Sequence, residues 1–293
     1  MASFKDRHPL FLSIYFLSVL LFTMFLNHPL VAAIALLGSL SFCLSLQGAK
    51  KLVKSIVLFL PLALLVALTN PLFSHNGQTV LFFLNSNPIT MEAFLYGVNL
   101  SLVLMAVIYW FRCFNIIFTS DKLLYLFSKL SSKISILLSS ALRFIPLLKR
   151  QSAKIKEAQT ALGLYSSESA TDKIKGATRT FSALTTWSLE NAVETGASMK
   201  ARGFGSCKRT SFSIFKHKKD DIIFSSLVII IDVFLAVSIG VGNLSFSFYP
   251  TISQIDFNIT TVAALIAFCT LYFLPFLIEL KEVIKWKYLL SKI

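Results

Sequence analysis

Charged side chains are scarce in this sequence, and their scarcity limits what kind of protein it encodes. Asp, Glu, Lys and Arg make up 14% of the residues, whereas hydrophobic residues make up 55%. An average soluble domain has about a quarter of its residues charged. The composition therefore excludes an ordinary soluble globular domain and indicates a membrane protein.

Residue groupings typical of metal, redox and nucleotide sites are also missing. The four histidines are dispersed, and no CxxC pair occurs, so the spacing predicts neither a disulfide framework nor a metal site. No GxxxxGK[ST] loop is present, so the chain is not itself an ATPase. We therefore expect no catalytic residues, no cofactor and no metal. The cysteines are Cys43, Cys113, Cys207 and Cys269.

Long apolar runs, in contrast, are abundant, and each is close to the roughly 20 residues that cross the hydrocarbon core as a helix. A spanning helix also satisfies its own backbone hydrogen bonds where no water is present. The sequence thus predicts an all-α, polytopic membrane protein with about six transmembrane helices. The six segments are approximately 9–26, 29–46, 55–73, 93–111, 222–242 and 259–279.

Lys and Arg are distributed on one side of this predicted topology. Loops 27–28, 74–92 and 243–258 contain none, whereas most of these residues fall between Arg112 and Lys219. The positive-inside rule then places both termini and the basic block in the cytosol. The net charge of +14 therefore indicates topology and attraction to anionic lipid, not nucleic-acid binding. The predicted domains are 1–111 (four membrane helices), 112–221 (a cytosolic coupling-helix domain) and 222–293 (two membrane helices and a cytosolic C-terminus).

Two details interrupt the apolar pattern. The run from Val80 to Leu84 in loop 74–92 is too short to span, and predicts a small hairpin or an interfacial dip. Asp232 lies in the middle of the fifth segment, where an ionised side chain costs at least ~2.5–3.5 kcal/mol. A protonated or paired carboxylate facing other helices is the preferred interpretation, and a proton relay is the alternative.

The basic block itself has helical periodicity. Apolar residues recur every 3.6 residues from Leu123 to Ile145, which predicts an amphipathic helix that Pro146 breaks or bends. The next predicted helix, 147–162, has a narrow apolar seam at Leu148, Ile155 and Leu162. Gly163 fits its C-cap.

A polar link at 165–177 precedes the last predicted helix of this block, about 178–202. Its apolar stripe includes small residues, which allow two helix backbones to cross closely. Trp187, Glu190 and Glu194 are predicted on the opposite face, and Gly203 fits the C-cap after Arg202. The stripe comprises Phe181, Thr185, Ser188, Ala192, Thr195, Gly196 and Met199, of which Ser188, Ala192, Thr195 and Gly196 are the predicted helix-crossing residues.

Several motifs together resemble the transmembrane T component of energy-coupling factor (ECF) transporters, a cobalt-transport-permease-like family. The resemblance covers about residues 70–210, and the ending of the last helix of the basic block is its most specific part. The motifs are Asn70-Pro71-Leu72-Phe73, Leu142-Arg143-Phe144-Ile145-Pro146-Leu147-Leu148, Ala158-Gln159, Trp187-Ser188-Leu189-Glu190 and Ser198-Met199-Lys200-Ala201-Arg202-Gly203-Phe204-Gly205.

This resemblance implies a multi-pass scaffold in the bacterial inner membrane that joins two cytosolic ATPase subunits to a membrane-embedded substrate-binding subunit. It implies uptake of a micronutrient, a vitamin or a metal cation. Two crossing coupling helices would dock their ends on the ATPases. The docking residues would be Ala201, Arg202 and Gly203 at one end, and Ala161, Leu162 and Gly163 at the other, where leucine replaces the family's usual arginine.

Two other classes of function are alternatives to this one. A secondary transporter working without ATPase subunits needs internal repeats or interrupted helices around polar groups at the membrane midplane. Only Asp232 fits that description in the sequence, and no repeat is evident. A membrane-embedded enzyme needs clustered His, Asp or Glu, and the scattered inventory argues against it.

Overall fold

The computed structural model describes residues 4–74, 76–84, 87–164, 170–206, 215, 218–254 and 257–290. It divides into two compact units, one formed by residues 1–120 with 215–293 and the other by residues 121–214. Cys207, His75 and His217 lie outside the described residues. The division into domains predicted at residues 111/112 and 221/222 stays a prediction. The fourth helix of the chain crosses the boundary at 111/112 and ends at Ile117.

The first unit is a bundle of apolar helices, preceded by a short 3-10 turn at Phe4–Asp6. The all-α, polytopic class predicted from the sequence is confirmed. The helices of the first unit are α1 (Pro9–Phe25), α2 (Pro29–Gln47), α3 (Ala49–Phe73), α4 (Met91–Ile117), α8 (Lys219–Gly240) and α9 (Ile259–Leu290). The second unit contains α5 (Ser120–Leu130), α6 (Ser132–Ala161) and α7 (Ala170–Ala201), with α5 beginning at the boundary.

All six predicted apolar segments are helical. Five of these helices are long and apolar enough to cross a membrane, namely α2, α3, α4, α8 and α9. The remaining one, α1, has 17 residues, which is at the short limit for a spanning helix. Pro29 occupies the first position of α2, where its missing N–H costs nothing, and only residues 26–28 separate α1 from α2.

The core of this unit is aromatic and centred on Trp110 of α4, which has no exposed surface. The Trp110 ring lies 6.1 Å from Tyr15 on α1, 6.2 Å from Phe42 on α2 and 6.0 Å from Tyr272 on α9. Large rings in tilted and edge-to-face contact add packing energy beyond their buried area. Trp110 of α4 therefore packs against side chains of three other helices. Little of α3, in contrast, is buried in the chain, as expected for a lipid-facing helix.

Helix α3 approaches α4 closely at Gly97. A Cβ atom added there would lie 2.4 Å from the Ala67 carbonyl oxygen and 3.2 Å from the Asn70 Cβ atom. The Asn70 amide also donates hydrogen bonds to the Ala93 carbonyl (2.7 Å) and the Tyr249 hydroxyl (3.2 Å). The Asn70 motif therefore has a structural role, holding α3 against α4 and the connection between α8 and α9.

We expect Gly97→Ala to destabilise the chain by ~1–3 kcal/mol, because an overpacked contact forces the backbones apart. A backbone carbonyl cannot move aside as a flexible side chain can. The measurement is the midpoint of thermal unfolding in detergent. The matched control is Gly240→Ala in α8, where an added Cβ meets no atom of the described residues within 4 Å. Equal midpoints for the two variants would contradict the close approach.

A β-hairpin connects α3 to α4, which is the first of the two alternatives predicted for loop 74–92. Strand β1 (Val80–Leu84) pairs antiparallel with β2 (Asn87–Thr90), with a bulge between Val80 and Phe82. The base of the hairpin is fixed to α4, because the Glu92 carboxylate accepts the Thr79 N–H at 3.1 Å. Strand β2 packs against α3 and α4.

The N-terminal segment is fastened to α8 by a buried ion pair. The Arg7 guanidinium donates to the Asp221 carboxylate at 3.1 Å, and the two side chains are only 5% and 6% exposed. The Arg7 Cζ atom also lies 4.2 Å from the centroid of the Phe224 ring. The ion pair joins residues 214 positions apart, so no local pattern predicted it.

In the second unit, two helix boundaries differ from the prediction. The helix predicted from Leu123 to Ile145 is interrupted at Ser131, whose backbone is extended (φ −154°). Helix α6 then runs through Pro146, where the sequence predicted a break or bend. Proline removes one hydrogen bond from a helix of 30 residues, and the remaining ladder continues on both sides. Helix α7 begins at Ala170, so most of the predicted polar link 165–177 is helical.

Candidate functional site

Helices α6 and α7 end in the same backbone geometry. In α6 the Gly163 N–H donates to the Thr160 carbonyl (3.0 Å) and the Leu164 N–H donates to the Gln159 carbonyl (3.1 Å). In α7 the equivalent donors, Gly203 and Phe204, bond the Lys200 and Met199 carbonyls at 3.0 Å each. Both ends are therefore Schellman motifs, and the glycines have the required positive φ of 71° and 79°. We call residues 161–163 and 201–203 the Gly-capped ends.

The central side chain of each Gly-capped end is exposed. Leu162 is 75% exposed, so it does not complete the seam that the sequence predicted for it. Leu148 and Ile155, the other seam residues, are half-buried as expected for a packing face. Arg202 is exposed at the end of α7, and Ala161 and Ala201 are exposed beside these side chains. Leu162 and Arg202 therefore occupy equivalent positions with different chemistry.

Helices α6 and α7 pack side by side and run antiparallel. Gln159 near the end of α6 accepts a hydrogen bond from Thr180 in the first half of α7 (3.2 Å). The opposite halves line a groove of about 550 Å³ that includes Ser140 of α6 and Ser198 of α7. Because the helices are antiparallel, their Gly-capped ends lie at opposite ends of the pair.

The buried face of α7 differs by about one position from the predicted stripe. Phe181, Thr185 and Ala192 are exposed, and Trp187, predicted on the opposite face, is half-buried. The predicted stripe followed the spacing of apolar and small residues along the helix, whereas the face that α7 turns inward depends on where α6 lies. The half-buried positions that recur along this face are Thr180, Leu184, Trp187, Ser188, Asn191, Thr195 and Met199.

The four predicted helix-crossing residues consequently divide into two pairs. Ser188 and Thr195 are half-buried, and Thr195 lines the groove between α6 and α7. Ala192 and Gly196 are exposed, and a Cβ atom added at Gly196 would meet no atom within 4 Å. Among the residues that the structure describes, Gly196 therefore marks no close approach. The helix-crossing role of the four residues stays a prediction.

The groove between α6 and α7 carries an excess of positive charge. Arg143 and Arg202 line it together with one carboxylate, that of Glu194. Within the part of the chain that the structure describes, no ion pair involves Glu194 or Glu190, which are exposed as a solvated face. The Arg202 guanidinium is likewise without a carboxylate partner among the described residues.

Asp232, the polar residue of the fifth apolar segment, contacts α1. Its carboxylate accepts a short hydrogen bond from the Ser18 hydroxyl, and its second oxygen has no partner among the described atoms. This arrangement agrees with the preferred interpretation of a paired carboxylate that faces other helices.

The described residues include no group of three or more His, Cys, Asp or Glu side chains that could hold a metal ion. A cavity of about 140 Å³ does lie beside His28, and Asn243, Gln254 and Asn258 are among its lining residues. Burial lowers the pKa of the His28 imidazole, which favours its neutral form. A single neutral imidazole among amide groups is too few ligands for a tight metal site.

The cobalt transport protein family model (CbiQ) matches residues 6–212, which include α1–α7 and both Gly-capped ends. The chain belongs to this family. The cobalt transport protein family is the T-component family of ECF transporters, so the resemblance identified from the motifs is confirmed. No curated protein matches the chain.

Family membership and the apolar helices together establish a multi-pass membrane protein of a transport family. The matched region extends beyond residues 70–210, where the sequence motifs were found, to the first three membrane helices. A transport family also agrees with the expectation that the chain is not an enzyme.

Proposed function

We propose that this protein is the transmembrane scaffold of an ATP-driven uptake transporter, and that it transmits ATPase motion to a membrane-embedded substrate-binding subunit. The observation that carries the proposal is the pair of exposed Gly-capped ends. Their backbone geometry is the same, and each presents one large exposed side chain, Leu162 or Arg202. Two such ends suit two cytosolic ATPase subunits, one for each end.

The antiparallel pairing of α6 and α7 supports a coupling role. Groove contacts place Arg202 near the first turns of α6, whereas Leu162 lies at the other end of that helix. At 1.5 Å per residue, the two ends are separated by about 40 Å along the pair. A displacement applied at either end would be carried along two packed helices to the other, because close-packed helices transmit strain.

An exposed apolar face on α6 provides a second surface for the proposed scaffold. Ile134, Leu137 and Ile145 are exposed and recur at helical spacing. In the proposed assembly this face contacts the lipid surface or the substrate-binding subunit. The cargo would be a metal cation such as cobalt, as the family description suggests, or a vitamin, and this chain need not contact it.

Recovery of partner subunits from detergent tests the proposed function. The full chain, tagged and expressed in a bacterial cell together with ATPase subunits of the same transport system, is expected to retain both ATPases through purification. The nucleotide dependence of uptake in proteoliposomes is the second readout. Uptake that proceeds without any ATPase subunit would instead favour a secondary transporter.

Orientation in the bacterial inner membrane is a further expectation of this proposal. Cysteines introduced at Asn76 and Ser245, both exposed, should react with an impermeant thiol reagent in whole cells. A cysteine at the exposed Ser182 of α7 should react only after the cells are opened, as should one at Ser166, which lies outside the described residues. The native cysteines are replaced to remove background. Labelling of Ser182→Cys in whole cells would place the basic block outside the cell and would contradict the proposed orientation.

A further inference from the structure

We propose that the β-hairpin between α3 and α4 is an interfacial membrane anchor, with β1 immersed in the lipid headgroup–acyl boundary. Strand β1 exposes four consecutive apolar side chains, which is unusual for a loop that faces water. Their exposed fractions are 45% for Val80, 56% for Leu81, 54% for Phe82 and 69% for Phe83.

The side chains of β1 are exposed on both faces of the strand. Phe82 and Phe83 follow the bulge as successive strand residues, so they point to opposite faces of the hairpin. More than half of the surface of each of these two residues is exposed. A protein docked on one face would cover only one of the two rings, whereas lipid surrounds the strand and covers both. The geometry therefore favours lipid as the occupant.

The connections of the hairpin hold it at the end of two membrane spans. Residues 74–79 follow the last residue of α3, Phe73, which is 82% exposed, and β2 ends immediately before α4 begins at Met91. Both α3 and α4 are long and apolar enough to cross a membrane. The apolar side chains of β1 therefore lie close to the lipid-facing surfaces of these helices.

Charge and backbone hydrogen bonding together define how deep the hairpin inserts. Residues 74–91 contain no Asp, Glu, Lys or Arg, so immersion buries no charge. Among the described residues, strand β1 pairs with β2 on one edge only, in a two-stranded sheet. An open sheet edge is not tolerated in the hydrocarbon core, because its backbone groups would have no hydrogen-bond partners. The headgroup–acyl boundary accommodates the uncharged side chains of β1, and the water that it retains can hydrogen-bond to the open edge of the strand.

Polar contacts make the hairpin a rigid extension of α4. The Thr90 hydroxyl donates to the Asn76 carbonyl (2.9 Å), and the Met91 N–H donates to the Thr79 carbonyl (3.0 Å). A Cβ atom at Gly77 would lie 2.6 Å from the Glu92 carboxylate, so only glycine fits this turn. A rigid anchor of this kind would set the depth of α3 and α4 in the membrane.

Lipid-depth quenching of a fluorophore tests this proposal. Single cysteines at Phe82 and Phe83, in a chain without its native cysteines, are labelled with an NBD fluorophore and reconstituted in phosphatidylcholine vesicles. Lipids with a spin label near the headgroup should quench both positions more strongly than lipids labelled near the chain end. The matched control is Asn76→Cys in the same loop, which should be quenched weakly by both lipids.

Other outcomes of this experiment would overturn the proposal. Quenching of only one of positions 82 and 83 would mean that the hairpin lies flat on protein or on the membrane surface. Quenching no stronger than that of Asn76→Cys would place β1 in water. Strong quenching in vesicles that disappears in native membrane vesicles supplemented with the same lipids would identify a protein as the occupant. None of these readouts depends on the ATPase subunits, so the proposed function is tested separately.

Discussion

Replacing Arg202 with glutamate is expected to abolish recovery of ATPase subunits with the solubilised scaffold and to stop uptake. Arginine offers a planar fork of donors to a carboxylate, and Arg202 has no such partner among the described residues of its own chain. Removal of one member of a desolvated interfacial pair costs about 2–5 kcal/mol, partly because the other charge is left buried. The glutamate side chain would in addition repel the partner's carboxylate.

Leu162→Ala is the matched comparison, because Leu162 occupies the equivalent position in the other Gly-capped end. Leucine contributes only apolar burial, roughly 1.5–3 kcal/mol if fully covered. Since Leu162 is 75% exposed in the chain, this burial is available to a partner. We expect a mild loss of ATPase recovery, and less dependence on salt than at Arg202, whose charge is screened as salt rises.

The asymmetry between the two ends is what these variants measure. Equal losses from Arg202→Ala and Leu162→Ala would contradict asymmetric docking. No loss from either variant would contradict the docking assignment itself. Both ends are exposed, so a general failure to fold is not expected from either substitution. Thermal midpoints of the purified variants check that expectation.

Arg7→Ala is expected to destabilise the membrane bundle by about 3–5 kcal/mol, because it leaves the Asp221 carboxylate buried without its partner. Asp221 is 6% exposed, and Arg7 also stacks on the Phe224 ring. The carboxylate lies in the first turn of α8, where a negative charge is favoured by the helix dipole. The measurement is the loss of thermal stability in detergent.

Two controls separate the ion pair from a general effect of charge. Asp220→Asn removes the neighbouring, half-buried carboxylate and should leave the unfolding midpoint nearly unchanged. The double replacement Arg7→Met with Asp221→Leu should recover much of the loss, since apolar residues often replace a buried ion pair without cost. A double variant as unstable as Arg7→Ala alone would mean that Arg7 acts through its packing.

Much of the candidate site was predictable because its determinants are local. Glycine at 163 and 203 after an amphipathic run predicts the helix ends, and both have the positive φ that this motif requires.

The close approach of α3 to α4 at Gly97 was not predicted, although the sequence contains a signal for it. Ala93, Gly97 and Ser101 recur every four residues in α4, which is the spacing of small residues at packed membrane helices.

The sequence by itself determined the membrane class, the six apolar helices and the residues that end α6 and α7. Each of these depends on the composition of a short window, on helical periodicity or on the backbone freedom of one glycine. Only the tertiary structure decided which face of α7 is buried, that Leu162 is exposed, and that Arg7 pairs with Asp221. These features depend on where distant segments lie after folding. A pattern read along one helix does not contain that information.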